Sequence, residues 1–194
     1  NVAIGRSSLS ASTTGSSNVA VGHAALLNNT TASENTAVGY QSLYSSTGTS
    51  NGAFGWRSLY SNTTGIQNVG LGYRAGYLNT TGSYNTAIGF DTLYSNTTAS
   101  YNTAVGYQAG YNTTTSTFNT FLGENSGYTN STGERNTHVG HFAGYSANAN
   151  RNTFVGSDAG YLMTSGSKNT IIGGYSGNQG GLDIRTSSNN IVLS

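Results

Sequence analysis

The chain has 194 residues, a formal net charge of +1, 7% charged residues, 28 glycines, and neither cysteine nor proline. The missing cysteines exclude a disulfide framework. No apolar run reaches the roughly 18 residues of a membrane span, and the near-neutral charge gives no footprint for nucleic acid or an anionic membrane.

Abundant Gly, Ser, Thr and Asn would suit a disordered linker, but a strict period opposes that reading. The signature Asn-x-x-(Val/Ile/Leu/Phe)-Gly starts at Asn1, Asn18, Asn35, Asn51, Asn68, Asn85, Asn102, Asn119, Asn136, Asn152 and Asn169. These eleven copies lie 17 residues apart, except for two intervals of 16, after Asn35 and after Asn136. The chain opens inside a repeat, with no signal peptide, and reads as a piece of something longer.

Each copy begins with a short strand, rich in β-branched residues at its second and fourth positions. Position four is always apolar, from Ile4 and Val21 to Val155 and Ile172. Position two is Val or Gly in four of the first five copies, with Thr36 the exception, and Thr in the last six. Two and four share one face and three takes the other. The expectation is that the fourth-position residues fill the core in every coil and that position three faces outward. Position three is Ala in six of the first seven copies and becomes Phe121, His138, Phe154 and Ile171 later. The small residues suit packing against a neighbouring chain, and the bulky ones are expected to meet other chains. His138 could then gather at a three-fold axis around an anion or metal, although a packed histidine is the commoner case.

The glycine at position five marks a bend, the eighth residue is always small, and the ninth is Leu or Gly. The tenth is Tyr in eight consecutive copies, Tyr44 to Tyr161. A loop of Asn, Thr, Ser and Gly closes each copy. Its Asn62, Asn79, Asn96 and Asn112 match glycosylation acceptors but are more simply turn residues.

Seventeen residues cannot bury a core alone, so the chain should form an all-β, parallel β-solenoid of about eleven coils, each with two short strands and two bends. Equal positions then stack about 4.8 Å apart, and the Asn of position one forms a side-chain ladder. Residues 1–178 form this domain, and 179–194, which breaks the period, forms an irregular cap or the start of a neck.

Asn-x-Ala-(Val/Ile)-Gly-x-x-(Ala/Ser), with "NVAIGRSSLSAS" at residues 1–12, resembles the YadA-like (Hep/Hag) head repeats of trimeric autotransporter adhesins, and similar repeats occur in phage and bacterial surface fibres. The resemblance implies a left-handed β-roll, three such chains packed side by side, an extracellular place on a cell surface or virion fibre, and attachment as the function. This chain departs from it in its longer repeat and its tyrosine column.

No catalytic motif accompanies the three His and three Asp residues, so an enzyme, a cofactor or a metal site is not expected. The candidate ligand-binding residues lie at position six, Tyr40, Trp56, Tyr73, Phe90 and Tyr107, together with Arg57 beside Trp56. Exposed rings in a neutral polar surface suit sugar stacking, so a cell-surface glycan or protein receptor is the expected partner. Arg135, Arg151 and Lys168 form a basic column for which Glu124, Glu134 and Asp158 could supply partners. Two rival functions remain: a passive spacer, and an ice-binding solenoid built on the threonine column. Facing inward, that column would not be available to ice.

Overall fold

The computed structural model describes residues 1–194. The chain is all β. Its first eleven strands are β1 (Val2–Ile4), β2 (Val19–Val21), β3 (Thr36–Val38), β4 (Gly52–Phe54), β5 (Val69–Leu71), β6 (Thr86–Ile88), β7 (Thr103–Val105), β8 (Thr120–Leu122), β9 (Thr137–Val139), β10 (Thr153–Val155) and β11 (Thr170–Ile172). They stack in sequence order as one parallel sheet, and β14 (Ile191–Leu193) pairs with β11 as its twelfth strand. Between them β12 (Asn178–Gln179) and β13 (Leu182–Asp183) form a small antiparallel ribbon. The segment after residue 178 thus returns to the solenoid and extends it.

Register follows the repeat: position two pairs with position two, as in Val2 with Val19 and Thr86 with Thr103. The 16-residue coils keep it, Thr36 facing Gly52 and Thr137 facing Thr153. The solenoid reading is therefore correct. Each coil has one three-residue strand, however, where two were expected. On the opposite side, positions seven and nine take left-handed backbone, for example Arg57 at φ 52° and Leu59 at φ 50°. Alternating left-handed residues cannot pleat as a strand. That side still bonds from coil to coil, the Leu59 N–H donating to the Ala75 carbonyl at 2.9 Å.

The expected inside and outside are reversed. Position three is the interior: Ala20, Ala37, Ala53, Ala104, Phe121, His138, Phe154 and Ile171 are all fully buried. The fourth-position residues are half-buried or exposed, with Leu71 47% and Ile172 47% accessible. The alternation of faces holds, but the larger aliphatics point outward. A coil this thin has room between its two walls for only one large side chain per level. Leu26, Leu43, Leu59 and Leu93 at position nine fill that space from the far wall, opposite the small residue at three. From Phe121 onward the filling side chain comes from position three and position nine is glycine. Phe121, His138, Phe154 and Ile171 are therefore interior, not contacts for other chains.

The asparagine ladder is present and buried. Asn68 Oδ1 accepts the Asn85 N–H at 2.9 Å, and its Nδ2 donates to the Gly82 carbonyl at 2.8 Å. A second buried ladder runs through the loops, where Asn79 Nδ2 donates to Asn62 Oδ1 at 2.7 Å and Asn96 Nδ2 to Asn79 Oδ1 at 2.9 Å. Asn62, Asn79 and Asn96 are thus buried turn residues with no access for a glycan, whereas Asn112 stands one position earlier in its repeat, half-buried and outside the ladder. The position-five glycines have φ near 130°, and a Cβ on Gly22 would stand 2.5 Å from the Gly39 carbonyl oxygen. Only glycine allows coils to approach so closely there.

Candidate interaction surfaces

Three surfaces carry side chains that the coil does not use internally. The first is the outer face of the twelve-stranded sheet. Because position three turns inward, positions two and four turn outward together. Two parallel columns result, one of Val and Thr and one of aliphatics with Phe54. Ile4 (60% accessible), Phe54 (40%), Leu71 (47%), Val105 (37%) and Ile172 (47%) mark an apolar strip running the length of the sheet. Thr36, Thr86, Thr103, Thr120, Thr137, Thr153 and Thr170 stand beside it. The threonine column therefore faces outward, and its orientation does not bar it from ice.

The second surface is a set of aromatic ladders. Position six gives a continuous stack, His23, Tyr40, Trp56, Tyr73, Phe90 and Tyr107, with successive centroids 5.2, 6.1, 4.7, 4.8 and 5.4 Å apart. All five expected rings are brought together, and His23 adds a sixth. Position ten stacks eight tyrosines, Tyr44 to Tyr161, at 5.0 to 5.3 Å. A shorter ladder joins Tyr84, Tyr101 and Phe118 at 4.8 and 5.0 Å.

Two arginines tie the first two ladders together. The Arg57 guanidinium lies 4.4 Å from the Trp56 ring centroid and 5.3 Å from that of Tyr60, and its Nε donates to Gln41 Oε1 at 2.8 Å. Arg74 lies 5.0 Å from Tyr73 and 4.8 Å from Tyr94. It also makes a two-pronged bond to Asp91, at 2.8 and 2.6 Å. That bond, ahead of every other cause, raises the Arg74 pKa above its ordinary value. Each arginine thus cements rings of the scaffold, and Arg57 is less free to donate outward than its place in the sequence suggests.

The third surface is the basic column. Arg135, Arg151 and Lys168 are exposed and line an open hollow of about 280 Å³ with Glu134, Asn150 and Ser167. Glu134 approaches Arg135 only at 4.0 Å, while Arg151 and Lys168 have no acidic partner. Neither Glu124 nor Asp158 forms an ion pair, so the expected pairing is mostly absent.

His138 lies in none of these surfaces. Its ring sits between Phe121 and Phe154, 5.4 and 4.9 Å from their centroids, and neither ring nitrogen has a partner. Burial pushes its pKa down to about 3. It is a neutral core side chain and cannot serve a three-fold axis. No group of three or more His, Asp or Glu side chains is placed to hold a metal ion.

No family model matches the chain, and neither the curated proteins nor the solved structures contain a match to it.

Proposed function

We propose that this chain is a structural and adhesive segment of a trimeric fibre, with three solenoids side by side, that displays attachment surfaces outside the cell or virion. The exposed aliphatic strip on the sheet carries this reading. Contiguous apolar surface of this extent is uncommon on a solitary soluble protein and gains by burial against another chain. The repeat resemblance supplies the number three. The aromatic ladders lie off that strip, and the position-six stack, with Arg57 between the ladders, is a contact surface for a receptor.

Light scattering on the purified chain tests the assembly. The expected mass is that of three 20.0 kDa chains. A monomer at micromolar concentration would refute it.

The outward threonine column supports a second reading, ice binding. Uneven side chains at position four weigh against it. Phe54 stands between Val38 and Leu71 on a surface that ice would require to be flat. Thermal hysteresis at micromolar protein would favour ice; its absence beside a trimeric mass would favour the fibre.

A further inference from the structure

Sugar stacking needs an uncovered ring face, and inside a ladder each ring covers its neighbours. Only ladder ends offer one. The tyrosine ladder ends at Tyr161, because the equivalent residue of the next coil is Asn178 in β12. Tyr145 covers one face of Tyr161 at 5.2 Å, and Phe142 meets its ring at 80°. Tyr161 lines an open cavity of about 520 Å³ with Phe142, Asp158, Leu162, Ser176 and Gln179. No cavity of the molecule is lined by Tyr107, the last ring of the position-six stack.

The polar groups around this cavity are uncommitted. Asp158 is exposed and forms no ion pair, and its side chain's only hydrogen bond is accepted from the neighbouring Ser157 hydroxyl at 3.3 Å. Gln179 is exposed, and neither its side chain nor that of Ser176 makes a hydrogen bond within the chain. A carboxylate accepts from two adjacent hydroxyls at once, and an amide both donates and accepts. The electron-rich face of an aromatic ring attracts polarised C–H groups. An aromatic face with a carboxylate and an amide at its rim matches a pyranose, which has an apolar C–H face and a ring of hydroxyls. An unneutralised carboxylate disfavours acidic sugars.

We propose that this cavity binds a neutral hexose unit of a glycan, its C–H face on Tyr161 and its hydroxyls on Asp158 and Gln179. The site deepens the attachment reading but does not require the trimer. A monomer that binds hexose would remove the trimer and keep the site; a trimer that binds none would do the reverse.

The test is saturation-transfer NMR on the full chain with methyl glucoside, galactoside and mannoside. At least one should receive saturation on its ring protons. Asp158→Asn should weaken that binding by about tenfold or more, the loss of a charge-assisted hydrogen bond. Arg151→Ala and Lys168→Ala, on the separate basic column, should leave it unchanged. Asp158 and Gln179 are exposed, so these variants keep the fold, which a melting curve would verify, whereas Tyr161→Ala also removes a ladder ring. The proposal fails if no hexoside binds at tens of millimolar. It fails equally if binding survives Asp158→Asn combined with Gln179→Ala, if Arg151→Ala or Lys168→Ala abolishes it, or if a uronic acid binds more tightly than the neutral sugars.

Discussion

The ring of Phe121 occupies the space that any side chain at Gly127 would need. Gly127 also sits in left-handed backbone at φ 62°. Gly127→Ala should therefore cost about 2–4 kcal/mol, combining backbone strain with overpacking. Gly180 provides the control: its φ is 60°, but a Cβ there would meet nothing within 4 Å. Gly180→Ala should show only the strain, about 1 kcal/mol. Denaturant unfolding of the two variants separates the terms, and equal losses would refute the packing argument.

Acid should weaken the fold through His138. Its folded pKa of about 3 lies below the ordinary 6.5, so between these values the unfolded chain binds the proton more readily. The associated stability is complete above about pH 6.5 and declines as pH falls toward about 3, by up to about 1.4 kcal/mol per pH unit. His138→Phe, which matches Phe121 and Phe154 on either side, should flatten that decline. Melting temperatures of both proteins across pH 4–8 provide the comparison; parallel curves would refute it.

Removing one rung of the buried ladder should be felt locally. Asn68→Ala removes the bonds that the Asn85 N–H and the Gly82 carbonyl make at 2.9 and 2.8 Å. The expected loss is about 1–3 kcal/mol, from the buried Asn85 N–H left unsatisfied, since the Gly82 carbonyl keeps the Asn79 Nδ2 bond at 2.9 Å. Because coils contact only their neighbours, amide exchange should quicken mainly around β4 to β6. Uniform quickening along the whole chain would show that the coils do not unfold locally.

Charge on the outer strip should separate assembly from folding. Leu71 is 47% accessible, so Leu71→Asp should shift the stability of the isolated chain by less than about 1 kcal/mol while blocking self-association. Phe154→Asp should unfold its coil, because it places an unpaired charge in the interior. Scattering and melting measured together decide, and a trimer that tolerates Leu71→Asp would place the interface elsewhere.

The period, the asparagine ladder, the glycine bend and the stacked tyrosines were all legible in the sequence, because each is a residue type recurring at one phase. The direction of the strand faces was not, because alternation sets which residues share a face and says nothing about which face is enclosed. A signal for it was present: Leu59 and Leu93 occur with Ala53 and Ala87 at position three, whereas Gly127, Gly144 and Gly160 occur with Phe121, His138 and Phe154. Positions that exchange bulk in this way face each other across one space. The position-six residues were recovered as a group because they share a phase. The cavity at Tyr161 was illegible because it depends on where the β12–β13 ribbon interrupts the ladder, and a break in period does not reveal its own geometry.

The short coil that begins at Asn136 lacks one loop residue, yet the sheet on either side keeps its register. The Asn148 side chain supplies the difference: its Oδ1 accepts the N–H groups of Ser131, Thr132 and Gly133 at 3.1, 3.0 and 3.2 Å. In the first coil the N–H groups of Thr13, Thr14 and Gly15 bond instead to the Thr30 backbone carbonyl. The solenoid therefore measures its length in coils rather than residues. Copying or deleting a whole repeat would lengthen or shorten the rod by one step and leave every ladder aligned, and an error of one residue in a loop can be absorbed by a single side chain. A gene of this kind can drift in repeat number while continuing to encode the same surfaces, so rod length and surface chemistry can evolve separately.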